Sequence, residues 1–116
     1  MKDNLKGKIT AQGTDITILS VGGDDDYISL TDIAKYKNHE EPNYVIANWF
    51  RSRNTIEYLG IWEKLNNPNF KPIEFEGFLN NAGSNAFTLS PMKWINSTNA
   101  IGVLVYDTSF IYSISS

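Results

Sequence analysis

Asn48-Trp49-Phe50-Arg51-Ser52-Arg53-Asn54-Thr55-Ile56-Glu57-Tyr58-Leu59-Gly60-Ile61-Trp62-Glu63 carries the end of one helix, a basic turn and most of a second helix. Upstream, Pro42 suits a first helical turn, because its missing N–H would be unpaired there anyway. Val45, Ile46, Trp49 and Phe50 then recur at helical spacing, with Asn48, Arg51 and Ser52 on the opposite side. Asn54 followed by Glu57 reads as a capping box. It opens a helix over about Thr55–Leu65 in which Ile56, Leu59 and Trp62 face inward. Gly60 is a weak point of that helix, worth about 1 kcal/mol against alanine. Asn66-Asn67-Pro68 stops it.

Before this stretch, Lys8–Val21 reads as a hairpin, rich in β-branched residues, with Gln12-Gly13 as its turn. Gly22-Gly23-Asp24 ends the second strand. Tyr27-Ile28 is extended, and Ser29 or Thr31 caps a helix over about Leu30–Lys37, with Asp32 in its first turn. Leu30, Ile33 and Ala34 give it an apolar face. Asn38-His39-Glu40-Glu41 is a loop.

Beyond the stretch, Lys71–Phe78 is expected to be extended, because Ile73 and Phe75 alternate with Glu74 and Glu76. Asn80–Asn85 is a turn-rich loop. Ser90-Pro91 caps and starts a helix over about Pro91–Ser97, burying Met92 or Trp94 together with Ile95. Ile101–Ser116 is apolar and β-branched, with Asp107-Thr108 as a turn. The expected class is α+β, in one domain over residues 1–116.

Composition narrows the function. The 116 residues include no cysteine, so disulfides, thiolate metal sites and thiol catalysis are excluded. The N-terminus has no apolar run behind its charge, and no stretch reaches the roughly 20 apolar residues of a membrane span. A domain without disulfides is compatible with a reducing cytoplasm, and no membrane partner is expected. Ten Lys and Arg against thirteen Asp and Glu give a net charge of −3. That balance argues mildly against nucleic acid, but the acids are clustered, above all at Asp24-Asp25-Asp26.

Three consecutive pieces resemble the KilA-N domain of phage, bacterial and large DNA virus proteins. They are Ile28-Ser29-Leu30-Thr31-Asp32-Ile33-Ala34, the stretch Asn48–Glu63, and Phe87-Thr88-Leu89-Ser90-Pro91-Met92-Lys93-Trp94-Ile95. Asn66-Asn67-Pro68-Asn69-Phe70-Lys71-Pro72 between them also fits. The resemblance covers about residues 27–102. It implies a DNA-binding domain similar to the APSES fold: a hairpin, two helices in helix-turn-helix-like relation, and a wing. It also implies a phage or prophage regulatory or antirepressor-type protein, with double-stranded DNA as partner. The basic, glycine-containing segment and closing helix that follow in the family are not visible in residues 103–116, so a C-terminally truncated member with an atypical tail is expected.

The candidate DNA contacts are Arg51, Arg53 and Asn54, with Lys35, Lys37, Asn48 and Lys64. Arg takes a phosphate or a guanine edge in bidentate fashion, and Asn does so for adenine. The bland alternatives are a solvated basic face, Arg53 paired with Glu57, Asn54 serving only as a cap, and Lys35 and Lys37 meeting a helix C-terminus. Trp49, Trp62 and Trp94 are read as core rather than as base-stacking platforms. His39 beside Glu40 and Glu41 is a surface loop, and Asp24-Asp25-Asp26 lacks calcium-loop spacing, so no metal is expected. No nucleophile–base pair, phosphate loop or dinucleotide fingerprint is present, so neither catalytic residues nor a cofactor are expected. Glu74 and Glu76 on one strand face are a weak hint of a hydrolase. The competing reading is a protein-interaction or assembly module that self-associates through the C-terminal tail, which could add a strand to another chain's sheet edge.

Overall fold

The computed structural model describes residues 5–11, 14–20, 26–106 and 109–113. The elements follow the order β1 (Leu5–Ala11), β2 (Thr14–Ser20), β3 (Asp26–Ser29), α1 (Leu30–Lys37), α2 (Pro42–Trp49), α3 (Arg53–Asn66), α4 (Pro72–Asn81), α5 (Pro91–Thr98), β4 (Val103–Tyr106) and β5 (Ser109–Ser113). The chain is thus α+β and divides into two compact units, residues 1–45 with 104–116, and residues 46–103.

The first unit is a five-stranded sheet in the order β1-β2-β3-β5-β4, with α1. The β1–β2 hairpin pairs Ala11 with Thr14, and the turn expected at Gln12-Gly13 lies outside the described residues. The expected turns at Gly22-Gly23-Asp24 and Asp107-Thr108 lie outside them too. Strand β3 pairs antiparallel with both β2 and β5. Of the two residues offered as caps for α1, Ser29 takes the role, its hydroxyl accepting from the Asp32 N–H at 3.1 Å. Thr31 instead accepts from the Phe110 N–H of β5, and the Asp32 carboxylate from the Thr17 N–H of β2. Both bonds satisfy strand donors with side chains of α1, which fixes the helix against the sheet. Leu104 packs on buried Tyr27 and Ile111.

The apolar tail therefore belongs to the sheet of its own chain. Strand β5 has β3 on one side and β4 on the other. Its pairing groups are committed within the chain, whereas β4, the other strand of that tail, lies at an edge of the sheet, as β1 does.

The second unit is helical. Its core is Ile46, Phe50, Ile56, Phe70, Phe75, Leu79, Leu89, Trp94, Ala100 and Val103, all buried. Phe75 meets Trp94 edge-on at 6.1 Å between ring centres, and Phe70 and Phe78 lie 6.0 and 6.2 Å from the same indole. These offset and edge contacts suit the ring quadrupoles. Ser90 caps α5 by accepting from the Lys93 N–H, as its sequence implies. Of Met92 and Trp94, α5 buries the tryptophan and leaves the methionine exposed.

Three expectations are overturned here. Lys71–Phe78 is not extended: Pro72 starts helix α4, which runs to Asn81. Phe75 and Leu79, four apart, are buried on one helical face. Ile73, whose alternation suggested a strand, is 82% exposed. Consequently Glu74 and Glu76 do not share a face, since residues two apart on a helix point about 200° apart. Asn54 is not the cap of α3. Ser52 holds that position in extended backbone, the helix starts at Arg53, and the Ser52 side chain makes no cap bond. Gly60 is not merely a weak point. A Cβ there would run into the Phe75 ring, with Cδ1 only 2.6 Å away, so the crossing of α3 and α4 requires glycine.

A buried acid closes this unit. Glu63 is 1% exposed. Its carboxylate accepts from the Gly102 N–H at 2.7 Å, the Ile101 N–H at 3.1 Å and the Asn67 amide at 2.8 Å. Asn67 also donates to the Asn99 carbonyl. Asn99 takes the left-handed backbone that ends α5, at φ 61°, a conformation asparagine tolerates better than most residues. A buried carboxylate with no cation beside it among the described residues is tolerable because hydrogen bonds satisfy its oxygens.

Candidate nucleic-acid interface

Helices α2 and α3 are joined by Phe50-Arg51-Ser52 alone. Three backbone bonds tighten the connection: Phe50 N–H to the Ile46 carbonyl, Arg51 N–H to Asn48, and Ser52 N–H to Trp49. Phe50 is 1% exposed and anchors the turn in the core. With that ring inward, Arg51 and Ser52 are left at the surface side of the junction.

Arg51 does more than display charge. Its Nε donates to the Phe87 carbonyl at 3.0 Å and its Nη2 to the Asn85 carbonyl at 3.1 Å, while its own carbonyl accepts from the Gly83 N–H. The α4–α5 loop is thereby laced to the α2–α3 turn. Gly83 sits at φ 90°, where glycine alone is unstrained, and so brings Ser84 round to the same place. Asn48, Arg51, Ser52, Gly83 and Ser84 line a shallow pocket of about 180 Å³. It is smaller than the roughly 300 Å³ at which drug-sized ligand sites begin. Its size and polar walls suit one small polar group.

The candidate residues are only partly assembled. Asn48 and Arg51 meet at this pocket. Arg53 turns away and donates from Nη1 to the Leu79 carbonyl at 2.7 Å, rather than to Glu57 as the bland reading had it. Asn54 is exposed in the first turn of α3. Lys64 lies in the last turn of α3, about 17 Å along the axis from Arg53 at 1.5 Å per residue. Its Nζ reaches Glu76 at 3.6 Å and hangs 5.0 Å over the Phe75 ring. Lys35 and Lys37 are exposed at the end of α1, in the other compact unit. Sequence reasoning missed Ser52, Gly83 and Ser84 as members. The signal was the Asn-Ala-Gly-Ser-Asn run at 81–85, whose glycine marks a sharp reversal, but its partner 30 residues upstream was not legible.

Among the described residues, no group of three or more His, Asp and Glu gathers to hold a metal ion. No helix there is long and apolar enough to cross a membrane.

A β-hairpin followed by a tight two-helix junction, with an arginine set in a polar pocket, defines a small α+β module with a helix-turn-helix-like centre. The KilA-N domain profile matches residues 11–102, and the chain belongs to that family, whose domain is generally DNA-binding. No curated protein and no solved structure matches the chain significantly.

Proposed function

We propose that the chain binds double-stranded DNA, gripping the sugar–phosphate backbone at the α2–α3 junction. Membership of the KilA-N family is the observation that carries this reading. What supports the location is the Asn48–Arg51–Ser52–Gly83–Ser84 pocket. Arg51 has five N–H donors, and only two are bonded to the loop carbonyls. Those bonds also hold the guanidinium still, so little rotamer freedom is lost when a phosphate oxygen is accepted. Ser52, Ser84 and Asn48 add neutral donors around it. The exposed first turn of α3, with Asn54, approaches the adjoining groove. Arg53, bonded to the Leu79 carbonyl, supports the junction, and Lys35, Lys37 and Lys64 add general attraction to phosphate. The setting proposed is a phage or prophage regulatory protein of antirepressor type.

With net charge −3, few phosphates are neutralised. Two or three contacts would weaken binding roughly ten- to fortyfold between 50 and 200 mM salt. A mobility-shift titration at those two concentrations tests the reading. Loss of affinity on that scale supports it, as does abolition by Ser84→Glu, which sets a carboxylate against the incoming phosphate. Absence of salt-dependent binding refutes it.

A further inference from the structure

Helix α3 buries Ile56, Gly60 and Glu63 in its own unit. On its other side Tyr58 is 58% exposed, Ile61 51% and Leu65 79%. With Asn54 they recur at steps of four, three and four residues, which at about 100° per residue puts them on one stripe. Single exposed apolar residues are ordinary, but three large ones in a row mark an interaction surface. We infer that a second copy of this chain packs on this stripe, α3 against α3, antiparallel about a two-fold axis.

The flanking charges select both the occupant and its direction. Glu57 and Lys64 lie seven residues apart along the same side of the stripe, one at each end. In an antiparallel pair with Tyr58 opposite the partner's Ile61 and Asn54 opposite the partner's Leu65, each Glu57 runs beside the partner's Lys64. Two-fold symmetry makes both pairs at once, so the surface is complementary to itself. A parallel pair would instead set Glu57 beside Trp62 and give Lys64 no acid of the partner chain. Lys64 is half exposed and bonded to Glu76 at 3.6 Å, so it bridges two carboxylates in the dimer. Helix α3 has 14 residues, giving a seam about 21 Å long. That seam covers less than the roughly 800 Å² per partner of a standard interface. The dimer is therefore reversible and concentration-dependent. The inference goes beyond DNA binding and does not rest on it; because Asn54 lies in the seam, the paired helix and the groove-bound first turn of α3 are mutually exclusive states.

Sedimentation velocity on the full chain, without DNA and at low salt, tests the inference from about 10 μM to about 1 mM, where a weak pair is populated. The expected result is a monomer–dimer equilibrium. Leu65→Glu weakens it at least about tenfold, because a charge then enters the seam, and the far-ultraviolet spectrum is unchanged. Glu57→Lys weakens it by about threefold or more, and the double exchange Glu57→Lys with Lys64→Glu recovers most of that loss. A parent chain that stays monomeric throughout overturns the inference. So does a Leu65→Glu variant that dimerises like the parent, or a double exchange no tighter than Glu57→Lys alone.

Discussion

Gly60→Ala separates two opposed effects on the same residue. Helix propensity favours the alanine by about 1 kcal/mol. Packing opposes it. The added Cβ would enter the Phe75 ring, and even Cδ1, at 2.6 Å, must retreat by about 0.8 Å to reach the 3.4 Å at which ordinary contact begins. The ring has little room to move. It is 2% exposed, with Phe70 at 5.8 Å and Trp94 at 6.1 Å between ring centres, and Lys64 Nζ 5.0 Å from its own centre. Overpacking of this kind costs about 1–3 kcal/mol, and a site hemmed in by rings belongs at the upper end. The net expectation is destabilisation by about 2 kcal/mol, or a melting temperature lower by roughly 8 °C. Gly77→Ala in α4 is the matched control, because nothing lies within 4 Å of its added carbon. It should stabilise by about 0.5–1 kcal/mol. Thermal and urea unfolding followed by circular dichroism measure both. A Gly60→Ala protein as stable as the parent, or more so, refutes the claim that the α3–α4 crossing demands glycine.

Four further outcomes are expected. Glu63→Gln turns one acceptor of the buried clamp into a donor facing the N–H groups of Ile101, Gly102 and Asn67; a loss of about 1–3 kcal/mol should appear in urea unfolding. Ser90→Ala removes the bond from the Lys93 N–H and should cost about 1 kcal/mol. Ser52→Ala, at a cap position without a side-chain bond, should change stability by less than about 0.5 kcal/mol in the same melts. Replacing Arg51 by Lys leaves one charge but cannot hold both the Phe87 and Asn85 carbonyls. The α4–α5 loop should then exchange its amide hydrogens faster, and DNA affinity should fall with it.

What the sequence disclosed depended on whether the deciding contact was local. Ser90 was legible as a cap, and Ser29 as one of two candidates with Thr31, because a cap reads its own next three residues. The hairpin was legible because its β-branched pattern needs only its neighbour. Residues 71–78 were misread because Ile73 and Phe75 fit a period of two, while the helical signal, Phe75 with Leu79 behind Pro72, is equally short. Gly60 and Arg51 were the harder cases. The glycine answers to a ring 15 residues away, and the arginine to carbonyls 34 and 36 residues away. Those partners come together only when the helices have packed, so Arg51 was legible as a candidate and its pocket was not.

Trp49, Trp62 and Trp94 all fall within residues 46–103, and the unit that holds the sheet has no tryptophan. Trp94 is wholly buried, and its indole N–H has no hydrogen-bond partner among the described residues. An indole so shielded emits at short wavelength and shifts to the red when water reaches it. Tryptophan fluorescence is therefore an optical channel for the helical unit alone, whereas circular dichroism sees both units. Comparing the two signals during one unfolding experiment would show whether strands and helices melt as one cooperative body or in turn.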